Sequence, residues 1–432
     1  MAFESIDLLL ARLNSLGAKR VFCKRLAEND NSKQQIYLGS SFEVLSFFPF
    51  GEIIPHSDLK YPNFKASLEL YWVEPQTIEQ AKGAQLILYP AYPEVRLSGF
   101  LAGCKTAPSA ELRPIPAESR RGQNGRVVVF GTTQDGKTLI HLAGEGTPLA
   151  QELLARFPMG NPISIFTELT LPVGSMQNRN SVLQALKDIH AAGFHPSCRR
   201  DKFGDVMPYK ARNGGGYTLE ALLGITPNGH AEPDFLGWEI KAHSKNRVTL
   251  MTPEPNGGFY GTNGAKAFVE KYGHDTEAGD KYFTGLHRVG SACPATGLSL
   301  VVAGFDSAAQ KLVDVGGSIR LLDSEGNEAA SWAFAQLLTH WNRKHAFAAY
   351  VPYTSDVPLN AYRFDSPVFM CEHTDFNRYL SAMCSGVVVF DPGSKVKNPG
   401  TPKATIKARS QFRTNIKDLH LLYENIGTEV LS

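Results

Sequence analysis

No two of the six cysteines, at positions 23, 104, 198, 293, 371 and 384, form a C-x-x-C pair. That spacing gives no ground for a zinc ribbon or a disulfide scaffold. The opening, MAFESIDLLLARL, has neither a basic start nor a long apolar run, so no signal peptide is expected. No stretch approaches the roughly 18 uninterrupted apolar residues of a membrane span. Internal repeats and low-complexity segments are also lacking, and a cytoplasmic protein is expected. Charge of one sign does not dominate either. The formal net charge is +2, so overall charge does not by itself point to nucleic acid. What is present is ordinary globular material: 432 residues, 43% of them hydrophobic, enough for two or three domains.

Residues 1–165 carry short apolar runs split by turn residues, among them FEVLSFF, KASLELYWVE, AQLILYP and RVVVFG. This pattern predicts a mainly β domain, flanked by helices over Ile6 to Leu16 and Pro148 to Arg156. The stretch Glu111 to Arg126 reads as a long exposed loop, and Glu94 and Arg96 as an ion pair on one strand face. Residues 166–180 read as a linker, although FTELTLPV is strand-like. A helix from Ser181 to Ala192 then opens a second domain over 181–432.

The letters Gly131 to Thr138 match the phosphate-loop pattern GxxxxGK[ST]. Such a loop must open a helix whose N-terminus faces the phosphates. Here LIHLAGEG follows, which is poor helix material. Asp135-Gly136 between VVVF and TLIHL predicts a hairpin turn instead.

The stretch that carries chemistry is GGGYTLEALLGITPNGHAEPDFLGWEIKAHS, Gly214 to Ser244. Pro233-Asp234 is followed by Glu239-Ile240-Lys241. Phe235, Leu236, Trp238 and Ile240 read as a buried strand approached through a turn at Gly237. Side chains two apart on a strand share a face. Glu239 and Lys241 therefore point the same way and Ile240 points to the core. An Asp, a gap and Glu-X-Lys suit a hard cation beside a phosphodiester. Mg²⁺ takes oxygen ligands and keeps several waters, so Asp234 and Glu239 suffice to hold it. Lys241 would orient the attacking water or neutralise charge on phosphorus. Glu220, on a helix over TLEALLGI, would support the water shell or a second ion. Acid-X-base triplets also occur as plain cross-strand charge pairs.

A basic block lies near the end. Lys395, Lys397, Lys403, Lys407, Arg409, Arg413 and Lys417 occur without an intervening acid. A solvated loop is the usual meaning of such a run. Contact with double-stranded DNA is the other reading. Arginine can bind guanine and glutamine adenine in the major groove. Arg409, Gln411 and Arg413 alternate, so on a strand they would share one face.

GGYTLEALLGI, PDFLGWEIKAHS, VTLMTPEP and KARSQFRTNIKDLHLLYE resemble the MvaI/BcnI family of type II restriction endonucleases, relatives of the MutH nickase. The resemblance runs over roughly residues 175 to 432. It implies an α/β PD-(D/E)XK domain with a central mixed sheet and a catalytic set of Glu220, Asp234, Glu239 and Lys241. It also implies one or two Mg²⁺ ions, a monomer, and a short GC-flanked target such as CCWGG or CCSGG, cut to 5′-phosphate and 3′-hydroxyl ends. A MutH-like nickase and a non-catalytic DNA-binding regulator are the alternatives; the intact Asp/Glu/Lys set argues against the regulator.

At the other end, CKRLAENDNSKQQIYLGSSF, Cys23 to Phe42, resembles the start of the EcoRII-type DNA-binding pseudobarrel. Its fusion to an MvaI-like domain is the architecture of the UbaLAI enzyme, where the extra domain takes a second DNA copy as effector. That resemblance places Lys24, Arg25 and residues 29–33 near DNA; the alternative is a basic pair flanking a strand. His190, His195 and Cys198 have spacings that would suit zinc but lack an evident fourth ligand. His243, His287, His340 and His345 are left without an assigned role.

Overall fold

The computed structural model describes residues 3–432 apart from 32–33, 41, 57–61, 91–93, 122–124, 134, 158–160, 164, 170, 172–173, 212, 227–233 and 346. The chain divides into two compact units, residues 1–180 and 181–432. Among the described residues no helix is long and apolar enough to cross a membrane.

The first unit is built of two sheets. One has seven strands in the order Asn161–Ile163, Phe166–Leu169, Ala18–Arg25, Val127–Thr133, Lys137–Ala143, Glu69–Val73 and Ile78–Ala81. The other has five, all antiparallel: Gln35–Gly39, Glu94–Ser98, Gln85–Tyr89, Asn63–Ser67 and Ile53–His56. Helix α1 (Ile6–Ser15) is capped by Ser5, whose side chain accepts from Leu8 N–H. Its buried residues Ile6, Leu9, Leu10 and Leu13 follow the helical period and pack on Val21, Val127, Val129 and Leu139. Each contributes about 1.5–3 kcal/mol by leaving water. Helix α2 (Pro148–Arg156) starts at Pro148 behind a Thr147 cap and covers the same cluster. Phe22, Phe48, Phe130 and Phe166 form a second, aromatic core with ring centres 5.2–6.2 Å apart.

The phosphate-loop letters fold as a hairpin. Val127–Thr133 and Lys137–Ala143 pair antiparallel across a turn with Gly136 at φ +87°. Asp135 accepts from Thr133 Oγ1 and Lys137 Nζ, both at 2.5 Å, so the lysine is spent closing the turn. Gln134 of that motif lies outside the described residues. Glu94 and Arg96 form the expected ion pair at 2.7 Å. Within the Glu111 to Arg126 loop, Leu112 and Arg126 are buried, the arginine donating to the Glu111 and Arg113 carbonyls.

Of the expected 166–180 linker, the described ends are a strand and a helix, and residues 170, 172 and 173 lie outside the described set. Phe166–Leu169 pairs with the Ala18–Arg25 strand, Cys23 facing Thr167 and Val21 facing Leu169. Helix α3 begins at Gly174, not Ser181, and runs to Ala191. The polar run MQNRN contains good helix formers, so nothing local stops the helix at Ser181.

In the second unit the central sheet has the order His195–Pro196, Ala361–Phe364, Phe347–Asp356, Val368–Glu372 and Asn425–Glu429, with Glu239–His243 added beside Phe347–Asp356. The added strand runs parallel to its neighbour, whereas the other pairings are antiparallel, giving a mixed sheet. Val182, Leu183, Leu186 and Ile189 of α3 pack on this sheet, with Leu219 of helix α4 (Gly214–Leu222) and Leu223 just beyond it. Trp238, Ile240, Val351 and Met370 meet them from the other side. Helix α5 (Gly258–Tyr272) lies over smaller sheets that complete the unit.

Candidate active site

The gap between Asp234 and Glu239 is a tight turn. Phe235 N–H donates to Trp238 O at 3.0 Å and Trp238 N–H to Phe235 O at 2.9 Å. Leu236 and Gly237, at φ +49° and +87°, are its two central residues. Two left-handed central residues define the turn type that matches strand twist, and glycine takes the second place at no steric cost. The expected strand over Phe235 to Ile240 is thus corrected: the strand starts at Glu239, and Leu236 sits exposed at the turn. The turn carries Asp234 back along the chain, where its Oδ2 accepts from Ile240 N–H at 3.0 Å. Pro233 lies outside the described residues.

Alternation along Glu239–His243 holds as expected. Ile240 enters the core, while Glu239 and Lys241 share the opposite face and pair with each other. The Glu239 side chain is 2% exposed and that of Lys241 24%. Burial pushes the Lys241 ammonium down, but Glu239, Asp234 and Glu220 together pull it up beyond its ordinary value. Glu220 adds to that pull only through space. Among the described residues no three His, Cys, Asp or Glu side chains stand close enough to ligate one ion. A pair of carboxylates with water completing the shell is the arrangement Mg²⁺ tolerates.

Glycines position Glu220. A Cβ on Gly215 would lie 2.5 Å from the Tyr353 ring, and one on Gly214 2.7 Å from the Tyr362 hydroxyl. Only glycine lets the first turn of α4 lie this close to the sheet. His243 continues the Glu239/Lys241 face. Burial holds its imidazole below the usual histidine range, with Nδ1 3.3 Å from the Lys245 carbonyl.

Behind the site runs a polar chain that sequence reasoning missed. Lys241 faces Tyr350 across the parallel pair. The Tyr350 and Tyr423 hydroxyls are 3.0 Å apart, Tyr423 is 3.0 Å from His345 Nδ1, and His345 Nε2 is 3.0 Å from the Leu250 carbonyl. A carbonyl only accepts, so Nε2 carries a proton; in a neutral ring Nδ1 accepts from Tyr423. Tyr350 then donates to Tyr423. His345 also stacks on Trp341 at 4.2 Å. A histidine following Trp at four residues was the only local hint.

The basic block is split. Lys407 and Arg409 are exposed. Arg413 bonds Asp391 at 2.7 Å and the Arg247 carbonyl at 3.2 Å, and Gln411 is 8% exposed against Thr249. Arg409, Gln411 and Arg413 therefore do not share one strand face: the strand starts only at Phe412, and Ser410, bonded to the Pro253 carbonyl, turns the chain inward. In the first unit Lys24 is 3% exposed, paired with Asp30 at 3.3 Å and bonded to the Tyr37 carbonyl. Burial lowers its pKa, with Asp30 opposing. Its expected place at DNA is corrected to a place inside the fold. Arg25 is exposed, while residues 32 and 33 lie outside the described set.

The other polar clusters serve the fold. His190 Nδ1 bonds the Phe364 carbonyl at 2.6 Å and His195 Nε2 the Ile189 carbonyl at 2.8 Å. His287 is fully buried between Gly285 O and Thr296 Oγ1, and burial pushes it down to about 4.

Residues 183–423 match the model of the MvaI/BcnI restriction endonuclease family. Two solved structures are similar. The MvaI restriction endonuclease–cognate DNA substrate complex is 18% identical, with 59% of this chain and 98% of that chain covered and a TM-score of 0.45. MvaI in the absence of DNA is 16% identical with the same coverage and a TM-score of 0.33. No match is found among curated proteins. With its catalytic-type carboxylates and lysine inside the matched span, the chain belongs to the MvaI/BcnI restriction endonuclease family, whose members are type II site-specific deoxyribonucleases.

Proposed function

We propose that the chain cuts double-stranded DNA at a short GC-flanked site in a Mg²⁺-dependent reaction that leaves 5′-phosphate and 3′-hydroxyl ends. The Glu239–Lys241 pair, with Asp234 folded back by its turn to accept from the Ile240 N–H between them, carries this reading. Asp234 and Glu239 would hold Mg²⁺, which when bound supplies Lewis-acid polarisation and a more acidic water. Lys241 pairs with the buried Glu239 and its side chain is partly exposed, suited to orient a water or offset charge developing on the phosphoryl group. Glu220 adds negative charge on the side of α4. Lys407 and Arg409 face solvent and suit DNA contact. Arg413 is bonded to Asp391, which suits holding the sheet together.

The test uses the full chain. Asp234→Ala and Lys241→Ala should each lose cleavage of plasmid DNA in Mg²⁺ while still binding duplex in EDTA. Cleavage by either variant at the wild-type rate would place the active centre elsewhere.

For the first unit we propose a modulating role through a second DNA copy, with Arg25 as the exposed candidate contact. Because Phe166–Leu169 belongs to that unit's sheet, a separated nuclease fragment should begin after Leu169. Only the full chain should then respond to added uncleavable cognate oligonucleotide. An identical response from the fragment would remove the effector role.

A further inference from the structure

A four-stranded sheet of the second unit, His274–Asp275, Lys281–Thr284, Gly393–Lys397 and Thr405–Lys407, has one apolar face and one basic face. Phe283 and Val396 are buried, Phe283 meeting Phe268 of α5 at 4.6 Å. The residues between them point outward. Tyr282 faces Lys395, and Lys395 faces Lys407, in one row across three strands. The Lys395 ammonium lies 5.6 Å from the Tyr282 ring centre. Lys397 lies on the same face, two residues along. Arg409 crosses it too, because a Cβ on Gly393, which points the same way as Lys395, would stand 3.1 Å from Arg409 Cδ.

Four cations thus share one face, and none of them forms an ion pair among the described residues. Three acids on the flanking segments are engaged: Asp275 with Lys281, Asp280 with Asn398 N–H, Asp391 with Arg413. Like charges directly opposite on antiparallel strands are destabilising. The Lys395/Lys407 pair is therefore unfavourable in the free protein and becomes favourable beside a polyanion.

We propose that this face is a sequence-independent phosphate-binding surface for duplex DNA, with Lys395 and Lys407 each taking a backbone phosphate and Lys397 and Arg409 extending the track. The proposal rests on DNA being the substrate. It differs from base reading, because lysine against phosphate carries affinity and salt dependence but no sequence information.

The test measures binding of a non-cognate duplex to the full chain in EDTA, between about 50 and 200 mM salt. Each lost phosphate contact lowers the log–log salt slope by about 0.9. Lys395→Gln/Lys407→Gln should flatten the slope by about 2 and weaken binding on the order of ten- to a hundredfold. Lys281→Gln, on the other face, should leave the slope unchanged. At low salt without DNA, the double variant should unfold at the wild-type urea concentration or above it. A folded double variant with the wild-type slope would overturn the proposal while leaving the nuclease reading intact. Absence of salt-dependent DNA binding by the wild type would overturn both. A lower urea midpoint for the double variant would overturn the like-charge argument.

Discussion

Lys241→Ala should destabilise the second unit in the absence of metal, through the carboxylate it leaves behind. Glu239 is 1% exposed and its Oε1 is paired with the Lys241 ammonium. Removing one partner of a buried pair typically costs 3–5 kcal/mol. The 24% exposure of the lysine side chain means that water can enter once it is gone, so about 3 kcal/mol, the low end, applies. With a urea slope of about 3 kcal/mol per M, the midpoint of the second unit should fall by about 1 M. The assay is urea unfolding of the full chain in EDTA at neutral pH. Two controls separate the stranded charge from lost packing. Glu239→Gln/Lys241→Ala should recover most of the deficit, because no buried charge remains. Acidification should also shrink the single variant's deficit, because it protonates the stranded carboxylate. If Lys241→Ala unfolds at the wild-type midpoint in EDTA, or if the double variant is as unstable as the sum of its parts, the pair is not the buried couple described here.

Other perturbations test the surrounding structure. His141 and His287 are buried neutral rings, each pushed down to about 4 from 6.5. Their folded-state values are depressed, so stability is fully present above about pH 6.5 and falls as pH drops toward 4, by up to about 3 kcal/mol for each. Urea midpoints for both units from neutral to acidic pH check this, and a flat profile would contradict it. Gly215→Ala would drive a methyl into the Tyr353 ring and should cost about 1–3 kcal/mol and reduce cleavage by displacing Glu220. Gly216→Ala, which meets nothing within 4 Å, should be neutral or stabilise α4 by up to about 1 kcal/mol. Tyr423→Phe breaks the middle of the Tyr350–His345 chain and leaves two buried groups without their partner. It should cost about 2–3 kcal/mol in a denaturation series, against about 1 for Tyr350→Phe, which removes only the terminal donor.

Features encoded within a few residues were legible in the sequence. The Glu239/Ile240/Lys241 alternation follows from the period of a strand, and the Asp135-Gly136 turn separated the hairpin from a phosphate loop. The Glu94–Arg96 pair is equally local. The misplaced features depend on partners far along the chain. Phe166–Leu169 looked like linker because its partner strand lies at Ala18–Arg25. Lys24 looked like a surface cation because its burial requires the Asp30 loop to fold back over it, with the Tyr37 carbonyl closing the shell. Arg413 looked free because Asp391 is 22 residues away. Leu236 broke the strand because the turn around Gly237 needs two left-handed residues, and a leucine there gives no signal of it.

We propose that Asp234, Glu239 and Lys241 cut DNA at a defined sequence. Incubating the full chain with mixed plasmid DNA and Mg²⁺ and sequencing the fragment ends tests it most directly. Discrete ends at one short GC-flanked motif are expected, each with a 5′-phosphate and a 3′-hydroxyl, and should be lost in Asp234→Ala. Ends scattered without a common motif, relaxed circles without linear product, or an unchanged pattern from Asp234→Ala would contradict it.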